Sequence, residues 1–440
     1  MFKKILSLSL ALLMIVGCLA VLASCKPATE TPVDTVPDPD PVPLAELKTA
    51  LICLHGDQST YDKNFIDAFK AACANKGLTE DQYAIVTDID EGTVCYDKAA
   101  EFADDGYQLV FADSFGHEPY MLQAAKEFPN VQFCHATGTQ AHTANTANFH
   151  DAFASIYEGR YLAGVAAGLK LVELYGDSDG NVSDENAKIG YVGAWPYAEV
   201  ISGYTSFFLG VKSIVPNVTM QVRYTNSWYH ETAEKLTALA LIDDGCKLIS
   251  QHADSMGAPT ACDERGIPNV SYNGSTGTTT FVIASKINWV PYFEYCIDCV
   301  INGKKISADY TGTIQTGSVE ITALGNAAAT GTQAKLDEVK AELVAGTRKV
   351  FDCSTFTVKN AKADTSAFSK ASFITMDENG HLTAYLADVD DDGTYTGETN
   401  VIKTEGTVTY FAESDGRSAP YFDIVIDGIS IGASVEVPEE

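Results

Sequence analysis

The chain has 440 residues, 46% apolar and 20% charged, and its 59 acids against 29 lysines and arginines give a formal net charge of −30. That imbalance argues against nucleic acid as a partner and against docking on anionic lipid by charge, while leaving a neutral or cationic small ligand open. The apolar content reads as globular, and a body of roughly 400 residues exceeds one ordinary core, so two lobes are expected.

Taken in chain order, the first feature is an export signal. Lys3 and Lys4 precede a nearly uncharged apolar run from Ile5 to Ala23, the layout of a secretory leader. The run is just long enough to span a bilayer. Leu22-Ala23-Ser24-Cys25 tilts the choice, because it resembles a bacterial lipobox, in which the thiol is acylated and cleavage leaves the cysteine N-terminal. Residues 1–24 are therefore read as a lipoprotein signal peptide. Cys25 is read as the lipidation site that holds the protein on the extracytoplasmic face of the cell membrane. Residues 25–45, with a proline every few positions and interspersed acids, form an extended tether.

From Leu47 onward, short apolar runs alternate with amphipathic ones. KTALICL, QYAIVTDI, YQLVFAD and VQFCHA read as strands, and NFIDAFKAACANKG, YDKAAEFADDG and EPYMLQAAKEF as helices. This is the spacing of βαβ units on a parallel sheet. DAFASIYEGRYLAGVAAGLKLVELYG reads as one long helix, with Gly164, Ala167 and Gly168 on one side where another element can approach closely. The alternation then restarts at KIGYVGAW and returns through WVPYFEYCIDCVING. The expected organisation is a first lobe of residues 46–148 and 286–350 and a second lobe of 149–285. Residues 351–440, richer in short β-branched runs, form a β-rich C-terminal extension.

Of eleven cysteines, nine lie beyond Cys18 and Cys25, mostly in apolar runs, and read as small buried hydrophobes. Cys296 and Cys299 form CxxC inside a helical pattern, away from the helix N-terminus that redox chemistry needs and without the second pair that zinc needs.

In doubly wound sheets, ligands bind beyond the carboxyl ends of the strands. Six loops at those ends carry the candidate side chains: HGDQSTYDKNF, DSFGHEPY, GAWPYAE, TNSWYHE, QHADSMGAP and YNGSTG. Phe115, Trp195 and Trp228 offer aromatic faces, and Asp57, Asp113, Gln251, Asp254 and Asn273 offer polar edges. For any one of these residues, a helix cap or a core position is an equally good reading.

Catalytic patterns are scarce. The single GxSxG, Gly176 to Gly180, follows a helix pattern and carries two aspartates, which suits a turn better than a nucleophile elbow. The histidines show no zinc-ligand spacing. Asp388, Asp390 and Asp392, followed by Gly393, resemble the opening of a calcium loop. The twelfth position is Thr399, with Glu398 one early, so an Asp-Gly turn is expected and no metal is assigned.

YDKNFIDAFKAA, IYEGRYLAGVAAGL, YVGAWPYAEVISGYTSFFLGVKS and TNSWYHETAEKLTALALIDDGCKLISQHAD resemble, in that order, stretches of the basic membrane protein family of substrate-binding lipoproteins. Characterised members of that family serve ABC importers of purine nucleosides. The similarity runs from about Leu47 to about Phe351 and leaves the C-terminal stretch uncovered. It implies a type I periplasmic-binding-protein fold of the α/β class: two doubly wound parallel-sheet lobes, a three-strand hinge and closure on ligand.

The resemblance also implies roles. Phe65 and Trp228 align with the two rings that sandwich the base, and Lys286 with a lysine that contacts the ribose. Asn273 replaces an aspartate that contacts the sugar. The base-reading aspartate falls on Gly56, or on Asp57 with one gap, and QHADSMG replaces a glycine-rich loop. With both acids moved or neutral, a purine nucleoside and another flat polar molecule are both open as the ligand.

The resulting expectation is a monomeric solute-binding lipoprotein that delivers a small molecule to an ABC permease and ATPase, with no cofactor and no bond made. Trp228 and Phe65 would stack, Lys286 and Asn273 would hold a hydroxylated part, and Gln251, Asp254 and Asp57 would set specificity. A ligand-sensing lipoprotein of the same fold and a cell-surface hydrolase are the rivals.

Overall fold

The computed structural model describes residues 39–360, 374–387 and 399–436. Cys25, the leader and most of the tether lie outside them, as do Asp388, Asp390 and Asp392.

The first strands and helices alternate as β1 (Thr49–Ile52), α1 (Thr60–Lys76), β2 (Tyr83–Val86), α2 (Thr93–Asp104), β3 (Leu109–Ala112), α3 (Glu118–Glu127), β4 (Gln132–Ala136) and β5 (Phe149–Ala154). Helix α1 shows why the boundaries fall where they do. The Ser59 side chain caps its first turn by accepting from the Asp62 N–H, and Gly77 closes it at φ 80°, donating to Ala74 and Cys73 carbonyls. Its stripe Phe65, Phe69, Cys73 is buried against the sheet.

The second set comprises α4 (Ile156–Tyr175), β6 (Lys188–Gly193), α5 (Ala198–Lys212), β7 (Thr219–Tyr224), α6 (Glu231–Asp243), β8 (Ile249–Gln251), α7 (Gly257–Arg265), β9 (Asn269–Tyr272) and β10 (Phe281–Ile287). Helix α8 (Val290–Ile301), β11 (Asp309–Gly312), β12 (Val319–Ile321) and α9 (Thr332–Val344) follow. The first sheet runs β11-β5-β4-β3-β1-β2 and is parallel throughout.

Strands β13 (Ile374–Met376), β14 (Leu382–Ala387), β15 (Thr399–Asn400), β16 (Ile402–Glu405), β17 (Val408–Phe411) and β18 (Ile429–Ile431) make up the extension. The second sheet runs β12-β10-β9-β8-β6-β7-β18, with only β12 antiparallel.

Two boundaries differ from the expected ones. Residues 149–154 form β5 in the first sheet rather than the start of a long helix in the second lobe. Strand β5 is buried at all six positions, so it shows no alternation, and it runs straight into the apolar α4. The chain also crosses back after β11, so that β12 joins the second sheet, and α9 packs beside α4, with Thr330 N–H donating to Glu173 at 3.1 Å. The stretch 286–350 is therefore shared between the lobes.

Three crossings connect the lobes, at Ser155, at 288–289 and at 313–318. They are tied to one another: Ser155 N–H donates to the Gly312 carbonyl at 2.7 Å, and Asn288 N–H to that of Ser318 at 2.9 Å. The buried Glu158 accepts from the Ile314 N–H at 2.9 Å, and burial raises its carboxyl to about 7.

In the extension, Phe351 stacks on Phe422 at 4.7 Å between ring centroids, and Tyr157 of α4 lies 5.3 Å from Phe351. Strand β18 pairs with β7, Ile429 opposite Met220, and Ser418 N–H donates to Asp309 of the first sheet at 2.6 Å. The extension thus completes one edge of the second lobe and touches the first.

All nine cysteines among the described residues are free and buried. Burial holds the thiols of Cys246, Cys262 and Cys353 up at about 12. The GxSxG stretch is a turn, with Gly180 at φ 83° and Asp177 accepting from the Asp179 and Asn181 N–H groups. Native protein should therefore leave all nine thiols unreacted with a maleimide over the minutes in which denatured protein labels fully. Rapid native labelling of several would contradict the burial. Among the described residues no helix is long and apolar enough to cross a membrane.

Candidate functional site

The carboxyl ends of the two sheets face one another across a cavity. From the first lobe come Leu54, His55, Tyr61 and Asp62 after β1, Ser114 and Phe115 after β3, and Thr137 after β4. From the second come Glu199, Trp228, His252, Asp254 and Tyr272. Each of the six loops singled out from the sequence contributes at least one of them. The enclosed space is tight, about 20 Å³, enough for about one water.

Backbone and side chain cooperate to fix the first-lobe wall. Asp62 accepts from the His55 N–H at 2.8 Å and from the Ser59 hydroxyl at 2.5 Å. Tyr61 donates its hydroxyl to the Asp113 carbonyl at 2.8 Å, while the Asp113 carboxylate takes the Leu54 N–H at 3.2 Å. Asp113 is wholly buried, and burial followed by the charge of Asp62 holds its carboxyl well above the usual range.

The second-lobe wall is built around Arg160. Its guanidinium donates to the Gln251 carbonyl at 2.7 Å and lies 3.7 Å from the centroid of Tyr272, in cation–π contact. Glu199 sits 3.3 Å from His252. Burial lifts the Glu199 carboxyl to about 7 against the pull of Arg160, and burial with Arg160 pushes His252 well below its usual value. The pair therefore shares a hydrogen bond at neutral pH more than it forms an ion pair. Asp254 is raised by burial, then by Asp62, Glu234 and Glu199. Glu234 pins the loop beneath it by accepting the Ser255 N–H at 3.1 Å and the His230 N–H at 3.1 Å.

The lobes touch across the cleft. Thr60 donates its N–H and its hydroxyl to the Asp254 carbonyl, at 3.0 and 3.1 Å. Phe115 lies 5.3 Å from Tyr197, and His55 lies 5.4 Å from Tyr229, between ring centroids. Three buried polar atoms of the lining have no hydrogen-bond partner among the described residues: the Tyr272 hydroxyl, His252 Nδ1 and Thr137 Oγ1.

Of the residues singled out from the sequence, Phe115, Trp228 and Asp254 line the cavity. Asp113 stands directly behind Tyr61 and Leu54. Trp195 stacks on Tyr197 at 6.0 Å, and Tyr197 in turn lies 6.0 Å from Trp228. Gln251 is buried and braces its loop by donating to the Ala253 and Ser255 carbonyls. Asn273 adopts φ 59° and accepts from the Ile287 N–H. Phe65 is 2% exposed and stacks on Trp289 at 4.5 Å, so its face is covered by the lobe's own core. Lys286, on β10, lies opposite Glu320 of β12, and Asp57 is exposed; neither lines the cavity.

The sequence reading missed His55, Tyr61, Asp62, Ser114, Glu199, His252 and Tyr272 inside loops it had chosen, and Thr137 in a loop it had not. Tyr61 was detectable: it extends the Phe65–Phe69 stripe one turn toward the helix start, which is the end that faces the cleft.

Two groups have metal-like geometry, Cys53 with Asp62 and Asp113, and Glu118 with His135 and Asp151. Their oxygens already accept backbone N–H groups: Glu118 takes those of Thr139 and Gln140, both at 2.7 Å, and Asp151 that of Ala141 at 2.8 Å. They hold loops in place.

The profile of a family described as PnrA-like ABC transporter substrate-binding protein (Bmp) matches residues 63–350. The chain is 30% identical to a purine-binding protein of Brucella abortus over 294 residues, 65% of this chain and 76% of that one. It is also 30% identical over 220 residues to a Haloferax volcanii protein provisionally named ABC transporter glucose-binding protein TsgA13, covering 49% of this chain and 52% of the relative, about half its length.

Among solved structures, an ABC transporter solute-binding protein from Aeropyrum pernix K1 matches with a TM-score of 0.57 at 14% identity, over 69% of this chain and 93% of that one. One from Conexibacter woesei DSM 14684 matches at 0.55 and 20% identity, over 69% and 98%. At these identities the likeness establishes the fold, the two-lobed type I periplasmic-binding-protein architecture. The profile match takes in both lobes and all three crossings and stops where the extension begins, so the chain belongs to the PnrA-like family of ABC transporter substrate-binding proteins.

Proposed function

We propose that the protein captures a small ring-bearing polar molecule between its lobes and hands it to an ABC permease driven by its ATPase, while held at the membrane by a lipid on Cys25. One observation carries the reading: loops from both sheets converge on a single cleft lined by Trp228, Tyr61, Phe115 and Tyr272 together with Asp62, Glu199 and Asp254. Aromatic faces stack on a ring, and carboxylates accept from its hydroxyl or amino groups. The names of the relatives, purine-binding and glucose-binding, both denote ligands of that build.

A cavity of about 20 Å³ admits no nucleoside or hexose, so capture requires the lobes to part about the three crossings and close again. Opening breaks the Thr60–Asp254 contact and separates Phe115 from Tyr197. In this reading Trp228 forms the stacking face and Phe65 supports Tyr61 from behind. Asn273 and Gln251 hold the loops that carry Asp254 and Tyr272.

A thermal-shift screen of nucleosides, bases and hexoses tests it. Ligand at a hundred times its dissociation constant adds about 2.7 kcal/mol of stability. Trp228→Ala should weaken the best hit at least about fivefold, since losing a stacking face costs about 1–3 kcal/mol. A hit whose affinity survives that substitution would place the ligand elsewhere.

A further inference from the structure

The cleft has an unbalanced charge. Three carboxylates line it, those of Asp62, Glu199 and Asp254, and among the described lining residues there is no lysine or arginine. Asp113 and Glu234 stand directly behind them, both buried. The nearest guanidinium, that of Arg160, is 1% exposed; it gives an N–H to the Gln251 carbonyl and lies on the Tyr272 ring, and its charge offsets that of Glu199 and Asp254 only in part, since both stay raised. His252 supplies no compensating charge, because burial and Arg160 hold it neutral. The protein therefore crowds several acids inside a wall of aromatic rings, where burial raises the Glu199 carboxyl and burial with the charge of neighbouring acids raises that of Asp254, so the cleft on its own meets part of that repulsion by holding protons.

A neutral ligand can donate hydrogen bonds to these carboxylates, but it leaves their mutual repulsion in place. A ligand with a positive charge satisfies the same acceptors and also offsets that repulsion. Aromatic rings around the acids favour the same choice, since ring faces attract cations. The formal charge of −30 over the whole chain attracts such a ligand from a distance. The Tyr272 hydroxyl and Thr137 Oγ1, buried atoms of lining residues, have no partner among the described residues and leave hydrogen-bonding capacity for a ligand, whereas His252 Nδ1 faces Gly203 of α5.

We propose that the cleft selects an organic cation: a flat or ring-shaped molecule whose positive charge sits among Asp62, Glu199 and Asp254 and whose ring lies against Trp228. This rests on the capture reading above and narrows its ligand class.

Matched pairs test it by calorimetry on the whole protein at pH 7: adenosine against 1-methyladenosine, and glucose against glucosamine. In each pair the second member carries a positive charge on nearly the same shape. The expected result is that the cationic member of the binding pair is at least tenfold tighter. That ratio should shrink toward one in Glu199→Gln and in Asp254→Asn, two variants that keep side-chain shape and serve as checks on each other should one fail to fold. If the neutral members bind as tightly as the charged ones, the cleft still captures solutes and the charge inference is overturned. If no member of any pair binds, the capture reading for these ligand classes falls with it.

Discussion

Gly210→Ala is expected to destabilise the protein by about 1–3 kcal/mol, and Gly210→Val to leave no cooperatively folded second lobe. A β-carbon at Gly210 would lie 2.2 Å from the Tyr161 carbonyl oxygen, and one at Gly164 would lie 2.1 Å from that of Phe207. Each glycine faces the other helix's backbone, with Gly164 and Gly210 Cα only 3.0 Å from those added carbons. A side-chain neighbour could rotate aside; a helix backbone cannot, so α4 and α5 must separate. Helix α4 is buried from Gly159 through Gly168, leaving no free side toward which to shift. Thermal unfolding followed by circular dichroism measures the effect. Gly92→Ala is the control, because Gly92 has extended backbone and nothing within 4 Å of the added carbon, and it should change stability by less than about 0.5 kcal/mol. Equal melting temperatures for the Gly210 and Gly92 alanine variants would show that the helices are not in the contact described.

The second large effect concerns pH. Burial raises the carboxyls of Glu158, Glu199 and Glu234 to about 7 and that of Glu413 to about 8. An acid whose folded value lies above its unfolded one keeps its proton in the fold and releases it on unfolding, so stability falls as pH rises from the unfolded value near 4.5 to the folded value. The effect is on the order of 3 kcal/mol for each group before relaxation reduces it. Histidines act on the other limb. Burial lowers His117 and His150 to about 4, and burial with the charge of Arg160 holds His252 well below its ordinary value, so they resist protonation in the fold, and stability falls as pH drops below their unfolded value near 6.5. The four acids outweigh the three histidines above about pH 5, so the melting temperature should be highest near or below that pH and decline toward pH 8, most steeply once the histidines no longer offset the acids. Glu413→Gln should make that decline shallower across the interval from about pH 5 to the folded value of about 8. A variant that declines as steeply as the parent above pH 6 would remove Glu413 from this account.

Much of the architecture was legible because alternation of short apolar runs with amphipathic ones is a direct record of parallel sheets. The glycines at 164 and 168 announced the close helix crossing for the same reason: only a residue without a side chain fits between two backbones. What escaped was whatever local pattern does not encode. Strand β5 is buried on both faces and abuts an apolar helix, so neither period marks the junction. Lobe assignment after residue 286 depends on a crossing whose polar turn, 313–318, looks like any other loop. Within the cleft, the six loops were identifiable from strand ends, but which residue in each points inward is decided by caps and turns. Asp62 faces the cavity because Ser59 starts a helix there, while Asp57, in the same loop, faces solvent. Phe65 shows the converse error, since its spacing with Phe69 and Cys73 already marked a core stripe.

The pairing of β18 with β7 has a consequence for biosynthesis. Arg223, at the β7 edge, donates to the Ala433 carbonyl, 210 residues further along the chain. A polypeptide emerging N-terminus first therefore makes the second lobe long before it makes the strand that borders it. Until then β7 presents an open ladder of N–H and C=O groups, the kind of edge that invites pairing between chains. Newly made copies depend on their last stretch arriving, and on being kept apart from one another while it does.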